Sequence, residues 1–183
     1  PQSGQAGKDV VWVPTQDELV QKMLEMARTT SLDYVVDLGA GDGKIPIAAA
    51  KNFGARALGI EYDANMARLA QCYAQAAGVA DRARIVQGDI FESNFGDATV
   101  VTMYLLPSLN LRLRPTLLAM KPGTRIVAHA FDMDDWEADE VATVEGRQAF
   151  LWVVPARVGG TWVLGDVGSG TSLRVRLTQT FQK

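Results

Sequence analysis

Apolar positions change period several times along this chain, and each change marks an element. Leu19, Met23 and Met26 recur at helical spacing, which predicts a helix running to about Arg28. Thr15-Gln16-Asp17-Glu18 ahead of it fits a capping box, with Thr15 accepting from a first-turn amide and Glu18 reaching back. Tyr34-Val35-Val36-Asp37-Leu38 is short, β-branched and followed by glycines, so it reads as a buried strand, and Lys44 to Phe53 follows as an Ala-rich helix. The alternation then repeats. A strand is predicted over 57–61, a helix over 64–77 capped by Asp63, and strands over 83–87 and 98–103. A helix over 108–120, stopped by Lys121-Pro122-Gly123, leads into a fifth strand over 124–130.

Beyond Trp136 the pattern becomes β-rich, with strands predicted over 148–154, 161–164 and 172–180 between Gly-rich turns. Strand–helix alternation from 34 to 131 implies right-handed βαβ crossovers. The expected fold class is therefore α/β: a doubly wound, mainly parallel Rossmann-like sheet, with antiparallel C-terminal strands completing one edge. No repeat or low-complexity linker interrupts it. The expected organisation is one domain over 1–183, made of an N-terminal segment and helix (1–30), a ligand-binding core (31–136) and a β-rich edge (137–183). Ligands in such sheets bind beyond the carboxyl ends of the strands, where strand order reverses. That rule directs attention to Leu38, Glu61, Asp89, Met103 and Phe131.

Composition removes several functions. Eighteen Lys and Arg against 21 Asp and Glu give a net charge of −3, and no long basic run offers itself to nucleic acid phosphates. Apolar residues make up 48% and charged residues 21%, which disfavours disorder, collagen-like repeats and coiled coil. One cysteine, Cys72, and one histidine, His129, supply neither an internal disulfide nor the ligands of a structural zinc, so no metal is expected. No apolar run, including the one around 100–106, approaches the ~18 residues of a membrane span. The chain opens on Pro1 with a small, polar stretch, so an upstream signal or anchor segment is expected to be missing from it.

The sharpest candidate chemistry is Asp37-Leu38-Gly39-Ala40-Gly41-Asp42-Gly43, placed between a strand and a helix as a nucleotide loop should be. Its glycines permit positive φ and close approach of backbone to ligand. Lys44 stands where the dinucleotide fingerprint needs a third glycine, so NAD fits badly, and there is no P-loop signature for a triphosphate. Gly59-Ile60-Glu61-Tyr62-Asp63 ends the second strand, and a carboxylate at Glu61 is placed to accept ribose hydroxyls. Gly88-Asp89-Ile90-Phe91 ends the third. There Asp89 is suited to accept from an exocyclic adenine amine while Ile90 or Phe91 covers a ring face.

Taken in order, the Asp37 to Gly43 loop, Glu61 and Gly88-Asp89 resemble the cofactor motifs of class I S-adenosylmethionine-dependent methyltransferases. The resemblance covers about residues 34–131 and implies a seven-stranded sheet whose last strand is antiparallel. It implies S-adenosylmethionine as cofactor, held by Thr15, Asp37, Gly39, Ala40, Gly41, Asp42, Gly43, Glu61, Tyr62, Asp63, Asp89, Ile90 and Phe91. More narrowly, Trp12-Val13-Pro14-Thr15, the Asp37 to Lys51 stretch and the proline after the fourth strand resemble the protein N-lysine methyltransferases related to the ATP synthase c-subunit enzyme. This implies a protein substrate with an exposed lysine, with Trp12 to Thr15 folding over the amino acid end of the cofactor. It also places Tyr104-Leu105-Leu106-Pro107 where the methyl acceptor enters, with Tyr104 as the catalytic candidate; the alternative for that segment is plain apolar packing. It is not Asn-Pro-Pro-Tyr, which argues against methylation of nucleic acid bases.

The other candidates are weaker. His129, inside the fifth strand, is expected to be a hydrogen-bonded core residue rather than a base, Cys72 to be packing, and Trp152 and Trp162 to cover the β-rich edge. Asp132, Asp134, Asp135 and Glu137 form either an acidic rim for a basic substrate or a solvated loop. Two other functions stay open: methylation of a small-molecule acceptor, and a non-catalytic binding module. Because the cofactor is made inside cells, a cytoplasmic location is expected, free or membrane-tethered through a segment upstream of Pro1.

Overall fold

The structure, a computed structural model, describes Gln5–Ala6 and residues 11–165 and 172–183. Two short strands, β1 (Gln5–Ala6) and β2 (Val11–Trp12), pair antiparallel. They lead into helix α1 (Asp17–Met26). The central sheet comprises β3 (Tyr34–Leu38), β4 (Arg56–Glu61), β5 (Ala83–Gln87), β6 (Val100–Met103), β7 (Arg125–His129), β8 (Glu140–Val144) and β9 (Arg147–Val153). Its seven strands run in the order β5-β4-β3-β6-β7-β9-β8, parallel from β5 through β7, with β9 antiparallel to both β7 and β8. The chain builds outward from β3 to β4 and β5, then returns to add β6 and β7 on the other side. Strand order therefore reverses between β3 and β6, the point where such sheets bind ligands.

Side-chain alternation explains the two layers. Val35 faces α1 and α2 (Lys44–Phe53), whereas Val36 and Leu38 face α4 (Pro107–Leu118), and all three are fully buried. Helix α3 (Ala64–Ala76) lies beside α2 through a small-residue contact of Ala50, Ala67, Ala70 and Ala74. Its predicted cap is present, because the Asp63 side chain accepts from Met66 N at 2.7 Å. Among the described residues no helix is long and apolar enough to cross a membrane.

Several expectations need correction. The capping box does not form: Gln16 occupies the N-cap position of α1 without a side-chain bond. The Thr15 hydroxyl, 6% exposed, instead meets His129 Nδ1 at 3.0 Å. A tertiary partner outcompetes the local amide because the hydroxyl is buried beside it. Cys72 is exposed on α3 rather than packed. The sheet edge is completed by β8, which the sequence pattern does not announce. Residues 161–164 and 172–180 do not extend that edge: they form β10 (Gly160–Gly165) and β11 (Ser172–Leu177), which pair with each other as a separate ribbon. In the ribbon Trp162, Leu164, Leu173 and Leu177 share one face, and Arg174 and Arg176 share the other. Trp162 is 46% exposed. Trp152 is fully buried under the sheet, donating from Nε1 to the Trp136 carbonyl at 2.7 Å.

Candidate functional site

At the carboxyl end of β3 the chain turns through Gly39, Ala40 and Gly41. The amides of Gly39 and Ala40 both donate to the Ile60 carbonyl at 2.9 Å, tying the turn to the end of β4. Gly41 has φ +55°, and a Cβ there would lie 2.4 Å from the indole nitrogen of Trp12. Any side chain at this position would therefore both strain the backbone and push away the N-terminal strap. Gly43, at φ +81°, is the N-cap of α2 and packs on Ala70.

Glu61 organises the next wall. Its Oε2 accepts from Gly41 N at 2.8 Å and its Oε1 from Asp63 N at 2.9 Å. A carboxylate has about four acceptor positions, so these two bonds leave capacity for ligand hydroxyls. After β5, Asp89 Oδ1 accepts from Phe91 N at 2.9 Å, a turn that sets Ile90 and Phe91 in the wall. The guanidinium of Arg112 covers the Phe91 ring at 3.7 Å.

Asp37 lies beneath the loop, 2% exposed, and accepts from Thr102 Oγ1 at 2.7 Å. Burial pushes its carboxyl up to about 7; the Thr102 bond opposes this, and the negative charges of Glu61 and Asp42 add to it.

Among the described residues the strap, residues 12–15, is held by Trp12 over Gly41 and Thr15 on His129, and the start of α1 just after it by Asp17 against Lys44 at 2.8 Å. At the opposite wall Tyr104, just after β6, stacks on His129 with ring centroids 3.8 Å apart. Burial, with help from the charge of Arg147, holds the imidazole down to about 4, so it is neutral at pH 7.

These elements enclose a cavity of about 560 Å³, within the range of small-molecule and cofactor sites. Thr15, Asp37, Gly39, Ala40, Gly41 and Asp42 line it, as do Glu61, Tyr62, Asp63, Asp89, Ile90 and Phe91, and Tyr104 lies in the same wall. Gly43 does not reach it: its part is to start α2. Leu38 and Met103, singled out as strand ends, are fully buried in the core. Met66 and Leu109, which the sequence pattern does not single out, also line the cavity, together with Lys44 after the loop and Leu105 of the segment after β6. Lys44 directly follows the loop and Leu109 comes two residues after Pro107, so position relative to the motifs was the available signal.

The acidic group divides. Asp135 pairs with Arg114, and Glu137 with Lys183 at 2.5 Å. The Asp132 carboxylate accepts from Asp134 N at 3.2 Å, and the Asp132 backbone carbonyl accepts from Asn110 Nδ2 at 3.1 Å. Among the described residues no group of three or more His, Cys, Asp or Glu is arranged to hold a metal ion.

An open, mainly parallel sheet with antiparallel end strands, a glycine loop, strand-end acids and a cavity at its switch point is the architecture of class I methyltransferases. A Salinibacter ruber structure, described as an RNA methyltransferase in complex with S-adenosyl-L-homocysteine, superposes with a TM-score of 0.78 at 46% identity, covering 80% of this chain and 96% of its own. A protein-lysine N-methyltransferase of Saccharolobus islandicus is 45% identical over 151 residues, 79% of this chain and 94% of the relative. The adenine nucleotide translocase lysine N-methyltransferase of Mus musculus is 32% identical over 84% of this chain, which spans 66% of that relative. A family model for the ANTKMT methyltransferase domain matches residues 37–140, and this chain belongs to that family.

Proposed function

We propose that this chain transfers a methyl group from S-adenosylmethionine to the side-chain amine of a lysine on a protein, with residues 1–183 acting as one cytoplasmic domain. The observation that carries the reading is the 45% identity, over nearly the whole relative, to a protein-lysine N-methyltransferase. The cavity suits the cofactor. Glu61 would hold the ribose hydroxyls, Asp89 with Ile90 and Phe91 the adenine, and the loop from Gly39 to Asp42 with Thr15 and Asp37 the amino acid end. Asp37 is suited to the ammonium there, since a cation beside it favours its ionised form.

When bound, the cofactor supplies an electrophilic methyl group on a sulfonium. The chain's task is to align the acceptor and keep water out. A free lysine has a pKa of about 10.4, so its amine must be delivered neutral. Leu106, Leu109 and Phe131 line the acceptor side with apolar surface, which disfavours the ammonium form. Tyr104, in the cavity wall against His129, would orient the amine, a role its position beside the apolar lining supports.

A second reading, methylation of RNA, is favoured by the likeness to the Salinibacter ruber structure, described as an RNA methyltransferase. The net charge of −3 and the carboxylates of Asp132 and Asp134, within three residues of Phe131 of the cavity wall, weigh against it. Incubating the protein with methyl-labelled cofactor and a cell extract separates the readings. Methyl-lysine in the protein hydrolysate supports ours. Label confined to RNA, to small molecules, or absent overturns it.

A further inference from the structure

We propose that His129 is a positioning residue that links the strap over the glycine loop to Tyr104, so that seating the strap on the cofactor also sets the acceptor side of the site. The inference goes beyond the function above and depends on it only in treating the loop as the cofactor's seat.

His129 is the last residue of β7, 3% exposed and held in register opposite Ala149 of β9. It is thus a fixed point in the sheet between two segments outside it, the strap and the loop that follows β6. Its Nδ1 meets the Thr15 hydroxyl at 3.0 Å. On the ring face lies Tyr104, 3.8 Å between centroids and tilted by 32°. Strand pairing explains this contact: Met103 lies opposite Ala128, so the next position on each strand brings Tyr104 beside His129.

The Thr15 end leads directly to the loop. Pro14 fixes one backbone angle between Thr15 and Trp12, and Trp12 covers Gly41, whose amide is held by Glu61. Contacts therefore run from the Glu61 carboxylate through Gly41 to Trp12, the backbone carries on to Thr15, and contacts resume through His129 to Tyr104. The imidazole does not line the cavity, so it neither touches ligand nor serves as a base. Being neutral, it presents Tyr104 without adding a second cation beside a lysine ammonium.

Because His129 is the sole histidine, its imidazole nitrogens give one resolvable set of signals in ¹⁵N NMR. We expect addition of S-adenosylhomocysteine to shift the Nδ1 signal in the parent protein, and the shift to vanish in Thr15→Val while the ligand still binds. Affinity in His129→Phe, which keeps a ring beneath Tyr104, should fall about fivefold, as loss of one net hydrogen bond implies. Thr15→Val, which also alters the cavity lining, should weaken binding at least as much, and the double variant should be no worse than Thr15→Val alone. His129→Asn, able to bond Thr15, should recover part of the affinity. In methyl transfer to extract protein, Thr15→Val should lower kcat even at saturating cofactor.

An unmoved imidazole signal in the parent, or an equal shift in Thr15→Val, overturns the link, as do strictly additive losses in the double variant. Full recovery of kcat at saturating cofactor overturns the Tyr104 half. The NMR and binding arms need no acceptor, so a failure to find methyl-lysine does not decide them. Thr15→Val removes no ring from the core, so it keeps the test open if the His129 variants fail to fold.

Discussion

The indole nitrogen of Trp12 lies over Gly41, so close that a Cβ on the glycine would stand 2.4 Å from it. The glycine thus serves the strap as much as the ligand. Gly41→Ala should lower affinity for S-adenosylhomocysteine more than tenfold in calorimetry, because a left-handed non-glycine residue alone costs roughly 1–2 kcal/mol and the strap is displaced as well. Adding Trp12→Ala relieves the collision but not the strain, so the double variant should bind better than Gly41→Ala and worse than Trp12→Ala. Parent-like binding by Gly41→Ala contradicts this account.

Glu61 bonds two amides of the site, those of Gly41 and Asp63. Glu61→Ala should therefore weaken the cofactor and loosen the loop. Each charge-assisted bond contributes about 1.5–3 kcal/mol, so a loss of at least tenfold in affinity is expected, with a lower Tm in the ligand-free protein. A fall in affinity with no change in Tm would show that only the ligand bonds matter.

Two buried groups set opposing pH dependences. His129 goes from 6.5 unfolded to about 4 folded, so the stability linked to its neutral form is full above pH 6.5 and lost as pH falls towards 4. Asp37 goes from 3.8 to about 7, so its linked stability is full below pH 3.8 and lost as pH rises through 7. Between pH 4 and 6.5 the two slopes oppose and largely cancel. Urea titrations of Asp37→Asn should show stability rising across that window, and those of His129→Gln should show it falling. The same slope in both variants would refute the assignment.

Affinity for the cationic cofactor should rise as pH passes upward through 7, where Asp37 ionises. S-adenosylhomocysteine should show the same trend, since it carries the same ammonium. Asp37→Asn should flatten both curves in a calorimetric series from pH 6 to 8.

The acidic residues after β7 should separate into two classes. Asp132→Asn with Asp134→Asn should raise KM for a protein acceptor more than it lowers kcat, with an effect that shrinks in salt. Asp135→Asn and Glu137→Gln break surface pairs with Arg114 and Lys183, so each should change stability by no more than about 1 kcal/mol and leave KM nearly unchanged.

Much of the sheet was legible because its buried strands are short β-branched runs between helices of clear period. Val35, Val36, Val100 and Val101 are of this kind. Strand β8 was not legible: Glu140-Val141-Ala142-Thr143-Val144 is an edge strand with exposed positions, preceded by an acidic stretch that reads as loop. The ribbon strands were recognisable as strands, but nothing local says which neighbour a strand will pair with. At the site, the loop, Glu61 and Asp89 could be read as the residues at the carboxyl ends of successive strands, and they do line the cavity there. Thr15 is rightly expected at the cavity and wrongly expected as a cap, since its true partner lies 114 residues away and sequence spacing carries no trace of it. The neutral state of His129 and the raised Asp37 pKa come from burial, which only the assembled sheet supplies.

The β10–β11 ribbon has a consequence for handling rather than for chemistry. It lies outside the family-matched stretch of 37–140, and Trp162, Leu164 and Leu173 on its apolar face are 46–62% exposed. A two-stranded ribbon keeps an edge on either side, and long exposed edges with apolar side chains template pairing between molecules. A net charge of −3 provides little mutual repulsion to prevent this. The ribbon contributes no residue to the cavity, so replacing Leu164 and Leu173 with lysine should reduce self-association at high concentration, read by light scattering, and leave the cavity lining unchanged.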